Sequence, residues 1–184
     1  PNLSEDSWVV LSKERQNIKT SVEAKGIPLK NWELEINSGI KTSHNKAFIV
    51  NAEKYKMLVS EDPASARILH PILRGEDVKK YQNGWKQYYV IGTFKQIRDS
   101  YSLDDYPAIK RHLSKFRSEL EPRPKNWNPS KDGKWPGRNT QPFDYLWYEV
   151  FFSPNLSLFR RPKIMYQNMT KFMPFYLDKK ANWF

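Results

Sequence analysis

Basic and aromatic side chains alternate along one irregular segment, Glu121–Asp144, which also contains five prolines. Cations bind phosphate and indole rings stack on bases or sugars, so this composition favours contact with a nucleic acid. The alternative interpretation is a long surface loop without a ligand. The residues concerned are Arg123, Lys125, Trp127, Lys131, Lys134, Trp135 and Arg138.

The motifs that would support catalysis are absent from the sequence. An adenine methyltransferase holds its flipped base with an Asn-Pro-Pro-aromatic motif, which the Asn-Pro-Ser sequence at 128–130 does not match. The Glu-Ala-Lys sequence at 23–25 resembles half of a nuclease metal site, but its place in a predicted amphipathic helix favours a surface ion pair. There is no cysteine, and His44, His70 and His112 are far apart, so no metal is expected. We therefore expect neither a catalytic residue nor a cofactor in this chain.

The charge of the chain is strongly positive. Thirty-one Lys and Arg residues stand against 20 Asp and Glu, which gives a formal net charge of +11. Such an excess attracts polyanions, a nucleic acid first and an anionic membrane second; the alternative is a basic protein without such a partner. No apolar run is long enough to span a membrane, so no membrane partner is expected. The lack of cysteine predicts a cytoplasmic location.

Short runs of β-branched and aromatic residues predict strands, and two local signals predict helices between them. A helix is expected from Ser12 to Ala24, with Gly26 as its end. Asp62-Pro63 is a typical helix start, and the helix should end before Pro71. The predicted strands are Ser7–Leu11, Trp32–Ile36, Ala47–Val50, Gln87–Ile91, Leu146–Phe152, Lys163–Gln167 and Phe172–Leu177.

The clearest helical pattern is Asp105–Leu120, where Ile109, Leu113, Phe116 and Leu120 form one apolar stripe. The basic residues Lys110, Arg111, Lys115 and Arg117 cover its other faces and are interpreted as a solvated surface. Short strands with interspersed helices predict an α+β fold with mainly antiparallel strands.

Three stretches, in this order, resemble one family, the TaqI-like C-terminal specificity domain. Gly39–Val50 (GIKTSHNKAFIV) is similar to its G-x-x-T-G-x-N-x-A-F turn, with Ser43 in place of the second glycine. His70–Tyr81 (HPILRGEDVKKY) is similar to K-P-x-L-R-G-x-D-I-x-x-Y, with His70 in place of lysine. Arg161–Tyr166 (RPKIMY) is similar to the x-x-P-K-I-x-Y strand.

The resemblance implies that residues 1–184 form a single target-recognition domain, part of a longer chain, that binds double-stranded DNA. The parent would be an adenine-specific DNA methyltransferase or a type IIG restriction-modification enzyme. Its methyltransferase domain would be the partner within the same chain and would bind S-adenosylmethionine, with magnesium if the parent also cleaves. The expected DNA-binding residues are Lys41, Thr42, Ser43, His44, Asn45, Lys46, Arg74, Lys79, Lys80, Arg123, Lys131, Lys134, Trp135, Arg138, Arg161 and Lys163.

Several alternatives remain open from the sequence. Asp77 fits a structural role in a turn, Arg74 fits a phosphate contact, and Lys163 fits either the DNA backbone or a carboxylate. For the whole chain, the alternatives are a stand-alone nuclease with a degenerate metal site, and a module that binds RNA or another protein.

Overall fold

The computed structural model describes residues 11–139, 145–168, 170–171 and 173–184, and the chain divides into two compact units, Pro1–Asn37 and Ser38–Phe184. The α-helices are α1 (Lys13–Lys25), α2 (Asn45–Phe48), α3 (Ala52–Glu61), α4 (Pro107–Ser114), α5 (Arg117–Leu120) and α6 (Pro129–Asp132). The strands are β1 (Ile49–Val50), β2 (Leu69–Pro71), β3 (Val78–Lys79), β4 (Gln82–Asn83), β5 (Tyr89–Ile91), β6 (Lys163–Tyr166) and β7 (Phe175–Asp178). Short 3₁₀ helices cover Leu29–Asn31, Pro63–Arg67, Gly75–Asp77, Lys95–Ser100, Leu103–Asp105 and Leu156–Arg160.

The first unit contains the helix predicted after Ser12. The Ser12 hydroxyl accepts the Arg15 backbone N–H, and the N–H of Gly26 closes the last turn on the Val22 carbonyl. The strand predicted at Trp32–Ile36 is wrong, because the chain turns through a 3₁₀ helix and the Trp32 indole bonds back to the Ile27 carbonyl. The strand predicted at Ser7–Leu11 lies almost wholly outside the described residues.

The second unit is built around a three-stranded antiparallel sheet with the order β1-β5-β2. Its register pairs Ile49 with Val90 and His70 with Val90 on either side of the central strand. The strand predicted over Ala47–Val50 is half as long as expected, because Ala47 belongs to the short helix α2, whose first turn is capped by the His44 ring.

Buried apolar residues of helices α3, α4 and α5 share one core with residues of this sheet. Asp62 caps the helix that begins at Pro63, as predicted, although that helix is of the 3₁₀ type. The helix predicted over Asp105–Leu120 is divided into α4 and α5, because Phe116 leaves the helical conformation. The predicted stripe is nevertheless buried, except for the half-buried Phe116.

Buried apolar side chains form one large core and one small one. Phe48, Leu58, Ile91, Phe94 and Ile109 lie in the large core, and burial of each side chain contributes roughly 1.5–3 kcal/mol. The small core consists of Leu73, Val78 and Trp183, with Trp85, Met165 and Tyr176 packed against it.

The β6–β7 hairpin supplies Met165 and Tyr176 to the small core, and its four cross-strand pairs run from Lys163↔Asp178 to Tyr166↔Phe175. With the antiparallel β3–β4 pair it completes an α+β fold, as predicted. Within the described ranges, no helix is long and apolar enough to cross a membrane.

Candidate nucleic-acid interface

The turn that precedes α2 presents a group of polar side chains at the surface. Its first residue, Lys41, exchanges two backbone hydrogen bonds with Phe152, at 2.8 and 2.9 Å. The Thr42 hydroxyl is buried and donates to the Asn45 side-chain oxygen at 2.5 Å. Ser43 has a φ of 56°, in the left-handed region that favours glycine. These contacts fix the turn and leave Lys46 exposed beside it.

His44 connects this turn to the end of α5. Its Nδ1 accepts the backbone N–H of Ala47 at 3.2 Å, so the proton of a neutral ring lies on Nε2. That Nε2 donates to the Glu119 carboxylate at 2.6 Å. The two residues line an open pocket of about 490 Å³ together with Ser43, Asn45 and Lys46.

Arg138 is buried, with 5% of its surface exposed, so the expectation that it is an exposed loop cation is wrong. Its guanidinium donates to the carbonyls of Leu120 at 2.9 Å, Glu149 at 2.8 Å and Trp147 at 2.8 Å. It also lies 3.4 Å from the Thr42 carbonyl. The N–H groups of this guanidinium are directed at protein oxygens, five backbone carbonyls and the Ser43 hydroxyl, so none is left for DNA and we assign Arg138 a structural role.

Burial lowers the pKa of Arg138 to about 10. The side chain is therefore still charged at neutral pH, and the charge is tolerated because oxygen dipoles surround it. The ring of Tyr145 lies 4.4 Å from the guanidinium carbon, and burial raises the pKa of this tyrosine.

Arg138 also explains why the aromatic stretch Leu146–Phe152 is not the strand that its composition predicted. The segment 146–149 turns so that the carbonyls of Leu146, Trp147 and Glu149 all face the guanidinium. The Glu149 carboxylate, itself buried, stabilises this turn by accepting the N–H of Leu146.

The Trp- and Lys-rich loop is closed at its base by backbone hydrogen bonds between its two ends. Arg138 donates to the Glu121 carbonyl at 3.0 Å, and Arg123 donates to the Arg138 carbonyl at 2.9 Å. Trp135 is partly buried and uses its indole N–H on the Glu121 carbonyl. Its ring packs edge-on against that of Trp127, with centroids 4.8 Å apart. Both rings therefore stabilise the loop itself.

Two lysines of this loop, Lys131 and Lys134, are exposed. Together with Lys46 they form no ion pair within the part of the chain that the structure describes. Lys41 is exposed too and lies over the Phe152 ring at 5.4 Å. The base of the loop and the turn meet at Arg138.

We give the name basic surface to six residues, Lys41, His44, Asn45, Lys46, Lys131 and Lys134.

A second group of predicted residues lies apart from Arg138, around β3 and the β6–β7 hairpin. Arg74 pairs with the buried Asp77 at 3.0 Å and with Glu76 at 2.8 Å, and its guanidinium lies 3.9 Å from the Tyr88 ring centre. The hydrogen bonds that Arg74 donates to the Asp77 carboxylate raise the pKa of Arg74. Asp77 therefore has the structural role in a turn that its motif indicated, and Arg74 is already partnered.

The remaining predicted cations of this group differ in their partners. Lys163 donates to the Asp178 carboxylate at 2.8 Å and to the Phe159 carbonyl at 3.0 Å. Of the two partners that the sequence allowed for Lys163, the DNA backbone or a carboxylate, the structure shows the carboxylate. Lys79 donates to the Glu76 carbonyl, Lys80 lies over the Tyr81 ring, and Arg161 is exposed.

Two carboxylates that shape the basic surface were missed by sequence reasoning. Glu119 bonds His44, which is 75 residues away in the chain. Glu149 accepts two hydrogen bonds of 2.6 Å from Arg98, 51 residues away. A sequence pattern does not reveal pairs at such separations. Within the described residues there is no group of three or more His, Asp or Glu side chains that could hold a metal ion.

No protein-family model matches this chain, and a search of curated proteins finds no similar sequence.

Proposed function

We propose that this chain recognises double-stranded DNA as the target-recognition part of an adenine-specific DNA methyltransferase or restriction-modification enzyme. The observation that carries the proposal is the position of Arg138. Its buried guanidinium holds the Thr42 carbonyl and the base of the loop together, so that the polar side chains of both segments emerge from adjoining backbone. Two separate sequence signals, a turn motif and a basic loop, thus belong to one local structure.

Electrostatics supports a polyanionic ligand for this surface. The chain carries a net charge of +11, and Lys46, Lys131 and Lys134 keep their charges unpaired among the described residues. Unpaired exposed lysines are the usual partners of phosphate groups, which set the position of a protein on the duplex. We therefore assign Lys41, Lys46, Lys131 and Lys134 to the DNA backbone.

The turn itself offers groups that can recognise bases. Asn45 uses its side-chain oxygen on Thr42, so its amide NH₂ is the group that can donate to a base acceptor. Guanine N7 and O6 and thymine O4 are such acceptors in the major groove. Glu119, held by His44, can accept from the amino group of cytosine or adenine. In this proposal the pocket beside Asn45 supplies the base contacts.

The proposal also fixes what this chain leaves to its partner. A methyltransferase domain of the same parent chain would bind S-adenosylmethionine and the flipped adenine, and magnesium would belong to a cleaving parent. The proposed location is the cytoplasm, where such enzymes meet DNA.

The test is a salt titration of the isolated chain with a labelled DNA duplex, followed by fluorescence anisotropy. Each phosphate contact releases a counterion, so log affinity should fall linearly with log salt, with a slope of about −0.9 per contact. Four lysine contacts predict a slope of roughly −3.6. An RNA duplex of equal length serves as the comparison, because its A-form grooves differ. Affinity that does not change with salt, or that is tighter for RNA, would count against the proposal.

A further inference from the structure

The β6–β7 hairpin exposes one of its two faces, and this face is apolar. Side chains alternate along both strands, so that Met165 and Tyr176 pack on the small core while their neighbours point away from it. The cross-strand pairs on the outer face are Ile164↔Leu177 and Tyr166↔Phe175. All four side chains are exposed, between 39% for Tyr166 and 64% for Ile164.

Two aromatic side chains lie at one end of this face, and a third aromatic residue, Tyr81, belongs to the turn beside it. The Tyr166 and Phe175 ring centres are 6.0 Å apart. The backbone N–H of Tyr81 donates to the Phe175 carbonyl at 2.9 Å, which places the β3–β4 turn beside β7. Tyr81 is 80% exposed and has a φ of 64°, a conformation that is unfavourable for an aromatic residue. A ring that is this exposed buries little apolar surface, and backbone strain of this kind clusters at functional positions.

The charges around this aromatic group are positive. The Lys80 ammonium lies 5.3 Å from the Tyr81 ring centre. Lys179 and Lys180 are exposed after Asp178, at the other end of the hairpin, and add to the positive charge of the hairpin as a whole. The Asp178 carboxylate is buried and paired with Lys163, so it does not offset them. A second copy of this chain would bring like charges against this face, which disfavours self-association.

We propose that Tyr81, Tyr166 and Phe175 form a stacking site for the unpaired bases of a single-stranded nucleic acid, with the neighbouring Lys80 on its phosphates. Flat rings and adjacent cations match the two parts of such a strand, its base faces and its anionic backbone. In a duplex the base faces are covered by their neighbours, so this site is distinct from the basic surface. The proposal does not depend on recognition of a duplex sequence.

The experiment compares two labelled oligonucleotides of about 12 residues, oligo(dT) and an abasic strand with the same phosphates, by fluorescence anisotropy. The chain should bind oligo(dT) at least about fivefold more tightly, because each stacked base adds affinity. Tyr81→Gly and Phe175→Ala should each reduce this ratio towards one. Glycine suits the positive φ at position 81, and residue 175 is exposed, so both variants should fold; circular dichroism checks this.

Two controls separate this site from the basic surface. Lys46→Gln and Lys131→Gln should weaken duplex binding but leave the oligo(dT)-to-abasic ratio unchanged. Equal affinity of the unmodified chain for both strands would overturn the proposal, as would a ratio that survives both aromatic substitutions. Dimerisation of the chain that Phe175→Ala abolishes would also overturn it, because a second copy would then cover the face.

Discussion

Replacement of Arg138 by alanine should destabilise the folded chain by about 3–5 kcal/mol, because the buried guanidinium and all the hydrogen bonds that it donates are lost. The change leaves the carbonyls of Leu120, Trp147 and Glu149 buried without their donor. It also leaves space beside the Tyr145 ring. The free energy of unfolding in urea, measured for both proteins at neutral pH, gives the difference directly.

Arg138→Lys and Arg123→Ala are the informative controls. A lysine at position 138 keeps the charge but has one ammonium in place of the planar guanidinium, so it should recover only part of the stability. The half-buried Arg123 forms no ion pair within the described part of the chain, and its removal should change stability by less than about 1 kcal/mol. If Arg138→Ala cost no more than Arg123→Ala, the structural role of Arg138 would be wrong.

Simultaneous substitution of Lys41, Lys46, Lys131 and Lys134 by glutamine should nearly abolish the salt dependence of duplex binding. Each lost phosphate contact reduces the magnitude of the salt slope by about 0.9, so the slope should change from roughly −3.6 to near zero. At roughly 0.1 M salt, affinity should fall at least tenfold for every duplex sequence alike, since phosphates carry no sequence information. The four side chains are exposed, so stability should be unaffected.

The matched control removes the same number of charges from the first unit. Lys13, Lys19, Lys25 and Lys30 lie on or beside α1 and are exposed there. Their replacement by glutamine should leave the slope nearly unchanged. An equal loss in both variants would mean that the chain binds DNA through its net charge alone.

These substitutions test the loop better than its removal. Deletion of residues 130–140 would take Arg138 away with Lys131 and Lys134, and the fold would lose the contacts to Leu120 and Glu149. Loss of DNA binding would then report unfolding instead of a missing contact.

Local sequence signals predicted much of this fold. Ser12, Asp62 and Pro63 mark helix starts because capping depends on residues that are adjacent in the chain. The strand predicted over Lys163–Gln167 from its β-branched and aromatic residues is observed at Lys163–Tyr166. Met165 of this strand packs on the small core, while its neighbours Ile164 and Tyr166 are exposed. The break between α4 and α5 contains no glycine or proline, so the sequence contains no signal for it.

The basic surface was only partly predictable, because its construction depends on contacts between distant residues. Arg138 was expected to be exposed like its neighbours Lys131 and Lys134, but its acceptors include the carbonyl of Thr42, 96 residues away. Backbone acceptors leave no trace in the sequence. The turn at Lys41–Lys46 and the lysines of the loop could be identified from their residue types. The contacts by which Arg138 joins the turn to the base of the loop are visible only in the structure.

The most direct test of the central claim is amide hydrogen exchange of the chain with and without a DNA duplex at low salt. Duplex binding through the basic surface predicts slower exchange in two segments, residues 41–46 and residues 123–136, with little change in α1 or the β6–β7 hairpin. Protection confined to α1 or to the hairpin would contradict the account, as would no change at all at saturating duplex.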